Sequence, residues 1–195
     1  MGSIETIAIT GGAGYVGSAL VPALLERGYR VKVIDLFLYG REQVFGKFAE
    51  LPNLVLVDGD IRNGELMKRE LADVDALIHL ACISNDPSFE LNPGLGKTIN
   101  YDAFFNLLSG LENGRTRRFI YASSSSVYGV REEGEVTEDT LKTPLTDYSK
   151  FKLLCEERLR EWDKPEGLDW TIIRPATVCG YAPRLRLDLT VNILT

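Results

Sequence analysis

The chain is poor in cysteine and histidine, the residues that most often build disulfide frameworks and zinc sites. It has 195 residues but only three cysteines and one histidine. Cys82, Cys155 and Cys179 are odd in number and lack the C-x-x-C spacing of a zinc ligand pair. The sequence therefore predicts no structural disulfide and no metal site, and we expect buried free thiols in a reducing compartment.

An excess of positive charge and long apolar runs are also missing. The net charge is −6 at pH 7, which disfavours nucleic acid or an anionic membrane as a partner. No run approaches the roughly 18 apolar residues of a membrane helix, and no basic segment precedes an apolar stretch at the start. We therefore expect a cytoplasmic globular protein that binds neither nucleic acid nor membrane.

Short apolar runs alternate with helical patterns along the chain. Strands are predicted at 4–10, 30–36, 54–57, 76–81, 119–122 and 170–173, and helices at 15–27, 64–71, 95–113 and 146–162. The segment 130–143, rich in Glu and Gly, is predicted to be an exposed loop. Near-continuous apolar strands separated by helices indicate an α/β fold with a parallel sheet covered on both faces.

A glycine-rich turn follows the first predicted strand and opens the first predicted helix. Gly11, Gly14 and Gly17 are each three residues apart, and the missing β-carbons permit a tight turn and close approach of a ligand. A strand, this turn and a helix N-terminus present free backbone amides to a pyrophosphate. We therefore assign Gly11, Gly14, Tyr15, Val16 and Gly17 to dinucleotide binding.

The predicted ends of the second and third strands supply the adenosine contacts. Asp35 lies at the end of the second strand, where a carboxylate accepts hydrogen bonds from both ribose hydroxyls. A 2′-phosphate would meet like charge at this position, so Asp35 favours NAD over NADP, although the nearby Arg41 weakens that preference. Asp60 is placed to bind the adenine amine, and Ile61 to lie along the ring.

Three side chains further along the chain suit hydride chemistry on an alcohol. Tyr148 and Lys152 are four residues apart, so they share one face of a helix. A free phenol has a pKa of about 10, and a neighbouring ammonium favours its charged, basic form. Tyr148 is then the base for a substrate hydroxyl, and Ser124 hydrogen-bonds the same oxygen. We predict Ser124, Tyr148 and Lys152 as the catalytic residues.

These motifs together resemble the extended short-chain dehydrogenase/reductase family, in particular its NAD-dependent epimerase/dehydratase group, which acts on nucleotide sugars. The resemblance covers essentially the whole chain and implies a Rossmann-type doubly wound sheet with NAD as cofactor. It rests on the glycine turn, Asp35, Asp60-Ile61, His79-Leu80-Ala81, Asn100, the segment 121–129, Tyr148-x3-Lys152 and Arg174-Pro175.

The resemblance also implies roles for individual residues. Ser124 stands at the family's catalytic hydroxyl position, and Lys152 also holds the nicotinamide ribose. His79 is expected to be structural. Further cofactor contacts are implied at Leu80, Ala81, Asn100, Ser123, Tyr148 and Pro175, and substrate contacts at Ser124, Ser125, Tyr148, Thr177 and Asn192.

The residues near Ser124 distinguish among the family's reactions. Sugar 4,6-dehydratases carry an acidic residue two places after the catalytic hydroxyl, whereas this chain has Ser126. We therefore expect a nucleotide-sugar epimerase that acts through a 4-keto-sugar intermediate. Thr177 stands where galactose-type epimerases usually have Asn, so the sugar stays open. The alternatives are a keto-sugar reductase, a dehydratase, or a non-catalytic NAD-binding module.

The chain is shorter than the members of the family that it resembles. Residues 1–180 are predicted to form the NAD-binding domain with the catalytic residues. Residues 181–195 are predicted to begin a truncated substrate-binding region, with the C-terminal lobe largely missing. The resemblance also implies a homodimer built through a four-helix bundle of the helices at 95–113 and 146–162, and Phe104, Phe105, Leu107 and Leu108 are compatible with such a contact.

Overall fold

A computed structural model describes residues 3–84, 86–131 and 134–194. The strands are β1 Thr6–Thr10, β2 Arg30–Asp35, β3 Leu54–Asp58, β4 Ala76–His79, β5 Arg118–Ala122 and β6 Asp169–Ile173. The α-helices are α1 Tyr15–Glu26, α2 Glu42–Phe45, α3 Gly64–Leu71, α4 Asp86–Glu90, α5 Pro93–Lys97, α6 Ala103–Glu112, α7 Asp147–Glu161 and α8 Thr190–Leu194. Two short 3₁₀ segments occupy Gly46–Glu50 and Ser125–Tyr128, and a π-helical segment occupies Thr98–Asp102.

The six strands form one sheet in the order β3-β2-β1-β4-β5-β6, and every neighbouring pair is parallel. The chain runs outward from β1 to β3 and then returns to place β4 on the other side of β1. This reversal leaves a crevice at the carboxyl ends of β1 and β4, where doubly wound sheets bind their ligands. The predicted Rossmann-type fold class is confirmed.

Apolar side chains cover both faces of the sheet, as near-continuous apolar strands require. One cluster lies beneath α3, α6 and α7 and includes Leu107, Phe119 and Leu159. The other lies beneath α1 and α2 and includes Val21 and Phe45. The carboxyl ends of the strands are thus held by a packed core on each side.

The long helix predicted at 95–113 differs from the structure in its winding. It begins at Pro93 with the side chain of Asn92 as its cap, and Thr98–Asp102 is wound as a π-helix between α5 and α6. A π-helical turn holds one residue more than an α-helical turn. The apolar pattern predicts a helix over this region but carries no signal for the extra residue.

The remaining predictions differ mainly at element ends. The strand predicted at 4–10 begins two residues later, the strands predicted at 30–36 and 76–81 end one and two residues earlier, and helix 64–71 has the predicted bounds. The described part of 130–143 contains no helix or strand, as predicted for a loop. Helices α2, α4 and α8 were not predicted, because each is only four or five residues long.

Two expectations from composition can be compared with the described residues. No helix among them is long and apolar enough to cross a membrane. The cysteines are free thiols, but only Cys155 is buried; Cys82 is half-buried and Cys179 is exposed. The expectation of buried thiols is therefore wrong for Cys179, which lies in the irregular segment after β6.

Candidate active site

A cleft of about 830 Å³ opens at the carboxyl ends of β1 and β4. Most residues predicted for cofactor, substrate or catalysis line this one cleft. They are Gly11, Gly14, Tyr15, Val16, Gly17, Asp35, Asp60, Ile61, Leu80, Ala81, Ser123, Ser124, Ser125, Tyr148, Lys152, Pro175 and Thr177. Asn100 and Asn192, which were predicted as a cofactor and a substrate contact, are not among the residues that line it.

The glycine turn packs against the loop after β4 so closely that side chains are excluded. A β-carbon on Gly11 would lie 2.5 Å from the Ala81 backbone nitrogen, and the φ of Gly11 is +73°. A β-carbon on Gly17 would lie 2.3 Å from the Gly12 carbonyl oxygen. Gly14 caps α1 without a side-chain hydrogen bond. The first amides of α1 are therefore available to an external anion such as a pyrophosphate.

Asp35 is held at the end of β2 by two backbone amides. Its Oδ2 accepts from Ala13 N and its Oδ1 from Phe37 N, each at 2.9 Å. Phe37 adopts a φ of +50°, which turns the chain back toward the carboxylate. Arg41 is paired with Asp58, and its guanidinium lies 4.6 Å from the Phe37 ring centroid. The Asp35 carboxylate therefore lies at the rim of the cleft, and Arg41 is engaged with Asp58.

Asp60 and Ile61 follow β3 at the same rim of the cleft. Arg62 binds the Asp60 carboxylate through Nε at 2.9 Å. The hydrogen bond from Arg62 lowers the pKa of Asp60, against a smaller opposing effect of burial. Asp60 is thus an anion at neutral pH, while the Ile61 side chain is buried.

Helix α7 carries Tyr148 and Lys152 into the cleft. Thr146 and Ser149 form a reciprocal capping box that fixes where the helix begins. Lys152 is 4% exposed and donates from Nζ to the Ala122 carbonyl at 2.7 Å. Its Nζ lies 5.8 Å from the ring centroid of Tyr148. The ammonium is therefore positioned beside the phenol by the end of β5.

The charge of Lys152 is retained despite its burial. Burial is the largest single influence and disfavours the ammonium form, but Cys82, Tyr148 and Cys155 together outweigh it, so the pKa of Lys152 is raised. Lys152 is consequently a cation at neutral pH, and a cation beside a phenol stabilises the phenolate form.

Ser124 is held at the start of the 3₁₀ segment by its own side chain. Its Oγ accepts from Ser126 N at 3.2 Å and from the Ser126 hydroxyl at 2.8 Å. The neighbouring backbone is tied to β6, because Ser123 N donates to Ile173 O and Ser125 N donates to Pro175 O. Main-chain bonds therefore place the serine run beside the segment that begins at Pro175.

A fully buried carboxylate lies one helical turn beyond Lys152. Glu156 has 0% exposed surface. Arg174 donates to it through Nε at 2.9 Å and Nη2 at 2.6 Å, and Ser123 donates to Oε1 at 2.5 Å. Arg160 adds a bond at 3.1 Å. Burial opposes ionisation, but Arg174 and Ser123 together outweigh it, so the pKa of Glu156 is lowered. This ion pair joins α7 to the ends of β5 and β6.

His79 lies buried in the core, where its ring contacts side chains of the fold. Its Nδ1 lies 2.7 Å from the Thr10 hydroxyl, and its ring packs against Phe104 and Tyr121. Burial, with a smaller contribution from Lys152, lowers the pKa of His79 to about 3. The imidazole is therefore neutral in the folded protein and absent from the cleft lining.

Asn100 and Asn192 use their amides to hold backbone segments. Asn100 accepts from Ile83 N at 2.8 Å and donates to Ile83 O at 2.9 Å, which fixes the loop after β4. Asn192 accepts from Gly180 N at 3.0 Å and donates to the Tyr15 hydroxyl at 3.1 Å. Their predicted ligand contacts stay predictions.

The C-terminal segment is tied to the glycine turn. The Tyr15 hydroxyl donates to the Gly180 carbonyl at 2.6 Å, and Arg184 N donates to the Ser18 hydroxyl at 3.2 Å. The Arg184 guanidinium lies 3.9 Å from the ring centroid of Tyr39, which follows β2 and also lines the cleft. The segment after β6 therefore closes one side of the cleft.

Several cleft residues were not predicted as site residues. Among them, Leu36 and Tyr39 follow β2, Cys82 follows β4, and Ser126 lies in the 3₁₀ segment. Residues just beyond the carboxyl ends of parallel strands line the ligand crevice. This positional rule, applied to β2 and β4, is the signal that could have found the first three.

Among the described residues, no group of three or more His, Cys, Asp or Glu side chains is arranged to hold a metal ion. A parallel six-stranded sheet with a glycine turn, an acidic residue at the end of β2 and a Tyr-x3-Lys helix defines a dinucleotide-dependent class of proteins.

The family itself is identified by a comparison with known protein families. The model of the NAD dependent epimerase/dehydratase family matches residues 7–191, so the chain belongs to that family. The curated relatives include a UDP-glucose 4-epimerase of Azospirillum brasilense, 31% identical over 191 residues, which cover 97% of this chain and 53% of the relative. The chain spans about half the length of the curated relatives that it matches.

Solved structures share the fold along most of the chain. A UDP-glucuronic acid 4-epimerase of Bacillus cereus in complex with NAD is 31% identical, with a TM-score of 0.84 over 97% of this chain and 61% of that one. A second structure is that of a double mutant of DesIV, a dTDP-glucose 4,6-dehydratase of Streptomyces venezuelae, with NAD bound. It is 28% identical to this chain. Its TM-score is also 0.84, over 96% of this chain and 60% of that one. The chain is thus similar in fold both to a 4-epimerase and to a 4,6-dehydratase of known structure.

Proposed function

We propose that the chain is the cofactor-binding and catalytic part of an NAD-dependent nucleotide-sugar 4-epimerase. The observation that carries this proposal is the shared cleft: Ser124, Tyr148 and Lys152 line the same space as the glycine turn and Asp35. A hydroxyl, a phenol and an ammonium beside a dinucleotide site supply the groups needed to remove and return a proton at a sugar hydroxyl.

The cleft fits NAD in shape and charge. Gly11 approaches the loop after β4 too closely for a side chain, and the amides at the start of α1 face an anion site. Asp35, fixed by two backbone amides, offers its remaining lone pairs to the ribose hydroxyls and repels a 2′-phosphate. These features favour NAD over NADP.

Lys152, Tyr148 and Ser124 have different roles in the proposed proton transfer. Lys152 favours the phenolate form of Tyr148, which accepts the proton of the sugar 4-hydroxyl. Ser124 donates a hydrogen bond to the same oxygen and aligns it. NAD bound in this cleft would supply the hydride acceptor for the sugar C4 and the hydride donor to the other face of the 4-keto sugar. Tyr148 returns the proton to the oxygen in that second half.

The relatives support epimerisation more than dehydration. The UDP-glucose 4-epimerase of Azospirillum brasilense and the UDP-glucuronic acid 4-epimerase of Bacillus cereus are each 31% identical to the chain. Ser126 stands where the resemblance places the acid of a dehydratase, and a serine hydroxyl is a poor acid for eliminating water. A keto-sugar reductase would use the same three residues in the opposite direction and is the second candidate.

The proposed partners are a nucleotide sugar and a second copy of the protein in the cytoplasm. Phe104, Leu107 and Leu108 are buried in the core and are not available to a partner. The dimer proposal therefore rests on Phe105 of α6 and Leu154 of α7, which are 38% and 39% exposed.

The test is to incubate the protein with NAD and a panel of UDP-, GDP- and dTDP-sugars and to follow epimer formation by chromatography. We expect conversion of at least one sugar, and conversion by Tyr148→Phe reduced at least about 100-fold, as for loss of a general base. Full activity of Tyr148→Phe would remove the proposed base. NAD binding without turnover of any sugar, also in a version extended to the length of its relatives, would instead support a non-catalytic NAD-binding module.

A further inference from the structure

The catalytic hydroxyl of Ser124 receives two hydrogen bonds from one residue. The Ser126 hydroxyl donates to Ser124 Oγ at 2.8 Å, and the Ser126 backbone amide donates to the same atom at 3.2 Å. Ser124 is also the residue that caps the 3₁₀ segment Ser125–Tyr128, with an extended backbone at φ −157°. The position of the hydroxyl oxygen is therefore set by Ser126.

This arrangement decides which hydrogen-bonding role is left to Ser124. A serine hydroxyl has one proton to donate and two lone pairs that accept. Both lone pairs of Ser124 are occupied by the two donors of Ser126, so only its proton can be offered to a ligand. Toward a ligand in the cleft, Ser124 can therefore act only as a hydrogen-bond donor.

We propose that Ser126 is a positioning residue that fixes Ser124 as a donor to the reacting sugar oxygen. The inference rests on the proposed function and deepens it. The proton of Ser124 stays on the serine throughout, and the proton of the sugar hydroxyl moves to and from Tyr148. A donor aimed at the oxygen stabilises the negative charge that develops there, whichever face of the sugar carries the hydrogen.

The direction of the hydrogen bond from position 126 decides what Ser124 can offer. Because the Ser126 hydroxyl donates to Ser124 Oγ, the Ser124 proton is left free for the substrate. Ser126 therefore acts through Ser124 and differs in kind from a group that removes a proton itself.

The experiment compares Ser126→Ala, Ser126→Thr and wild type, each as the full chain with NAD and a sugar that the wild type converts. Loss of one neutral hydrogen bond amounts to about 1 kcal/mol, so Ser126→Ala should lower kcat about fivefold to tenfold, with KM and the Kd for NAD changed less than about twofold. Ser126→Thr should restore kcat, because it keeps the hydroxyl. Ser109→Ala removes a remote hydroxyl on α6 and should leave kcat unchanged.

A double-mutant cycle tests whether the effect passes through Ser124. In a Ser124→Ala background, Ser126→Ala should cause no further loss of kcat. The same fivefold to tenfold loss in that background, or no loss in the single variant, would overturn the proposal.

A structural measurement tests the same claim without a substrate. Crystal structures of the wild type and Ser126→Ala should show the Ser124 Oγ held in one rotamer only when the Ser126 hydroxyl is present. An unchanged Ser124 rotamer in the variant would contradict the positioning role, even if no sugar were ever converted. Failure of the proposed function alone would leave the rotamer result intact and would appear as absent turnover in the wild type.

Discussion

The buried ion pair of Glu156 and Arg174 offers the sharpest test of the structure. In Glu156→Gln the side chain keeps its size but loses its charge. Its amide NH₂ then faces the Arg174 guanidinium, whose hydrogen bonds Glu156 accepts in the wild type. The Arg174 side chain is only 10% exposed, so water cannot replace the lost acceptor. The variant therefore leaves a buried cation without its counter-charge.

The size of the effect follows from this geometry. Removing one partner of a buried ion pair costs about 3–5 kcal/mol, and Glu156 lies at the upper end of burial with 0% exposed surface. For a chain of this length, each kcal/mol shifts the melting temperature by about 2–4 °C. We expect Glu156→Gln to lower the melting temperature by on the order of 10 °C at pH 7.

The sign of the pH dependence provides a second readout. The pKa of Glu156 is lowered from its ordinary value of 4.5, since Arg174 and Ser123 outweigh burial. Its contribution to the free energy of unfolding is thus complete above pH 4.5 and is lost as the pH falls through the folded-state pKa. The difference between the variant and the wild type should therefore shrink below pH 4.5.

The assay is thermal and urea unfolding of both proteins across this pH range, followed by circular dichroism. Glu157→Gln is the matched control, because Glu157 is the next residue on α7 and is exposed; it should change stability by less than about 0.5 kcal/mol. Equal effects of the two substitutions at pH 7 would refute the reasoning from burial.

Three further predictions concern single positions. His79 is neutral with a pKa of about 3, so it should add about 1.4 kcal/mol per pH unit to the fall in stability from pH 6.5 toward 3; in urea unfolding, His79→Gln should lose this contribution and keep the slope due to the carboxylates. Gly11→Ala should unfold more easily than Gly28→Ala, since both positions have positive φ but only Gly11 would place a β-carbon 2.5 Å from Ala81 N; equal losses would exclude the close approach. Asp35→Asn should weaken NAD binding about 10- to 100-fold in calorimetry with NADP binding weakened less, and an unchanged NAD affinity would contradict the role of the carboxylate.

The sheet was predictable because each strand is a short, mostly apolar run bounded by a turn or loop. The positions of the glycine turn and Asp35 relative to the strands were therefore predictable. The strand order was implied only by the family resemblance, since apolar runs do not say which strands pair. Short helices such as α2 and α4 could not be predicted, because four or five residues carry less than two turns of periodicity.

Site residues could be predicted where their side chains suit one chemistry only. They could not be predicted where contacts with distant backbone determine the role of the side chain. Tyr148 and Lys152 share a helix face by their spacing alone, and both line the cleft. Asn100 and Asn192 carry amides that suit a ligand equally well, yet the fold uses them to hold Ile83 and Gly180. No spacing rule separates these two uses of an amide, because the partner atoms belong to backbone that is distant in sequence.

The π-helical segment Thr98–Asp102 sets the rotational phase between the two ends of its helix. Before it, Gly96 faces Phe89 so closely that a β-carbon would lie 2.5 Å from the ring. After it, Leu107 and Leu111 face the core. Each residue of an α-helix turns the chain by about 100°. Because the π turn already takes up one extra residue, a deletion of one residue within the segment would let the helix run on unbroken with its two apolar faces still nearly aligned. The same deletion within α6 would instead turn the residues after it by about 100° relative to those before it.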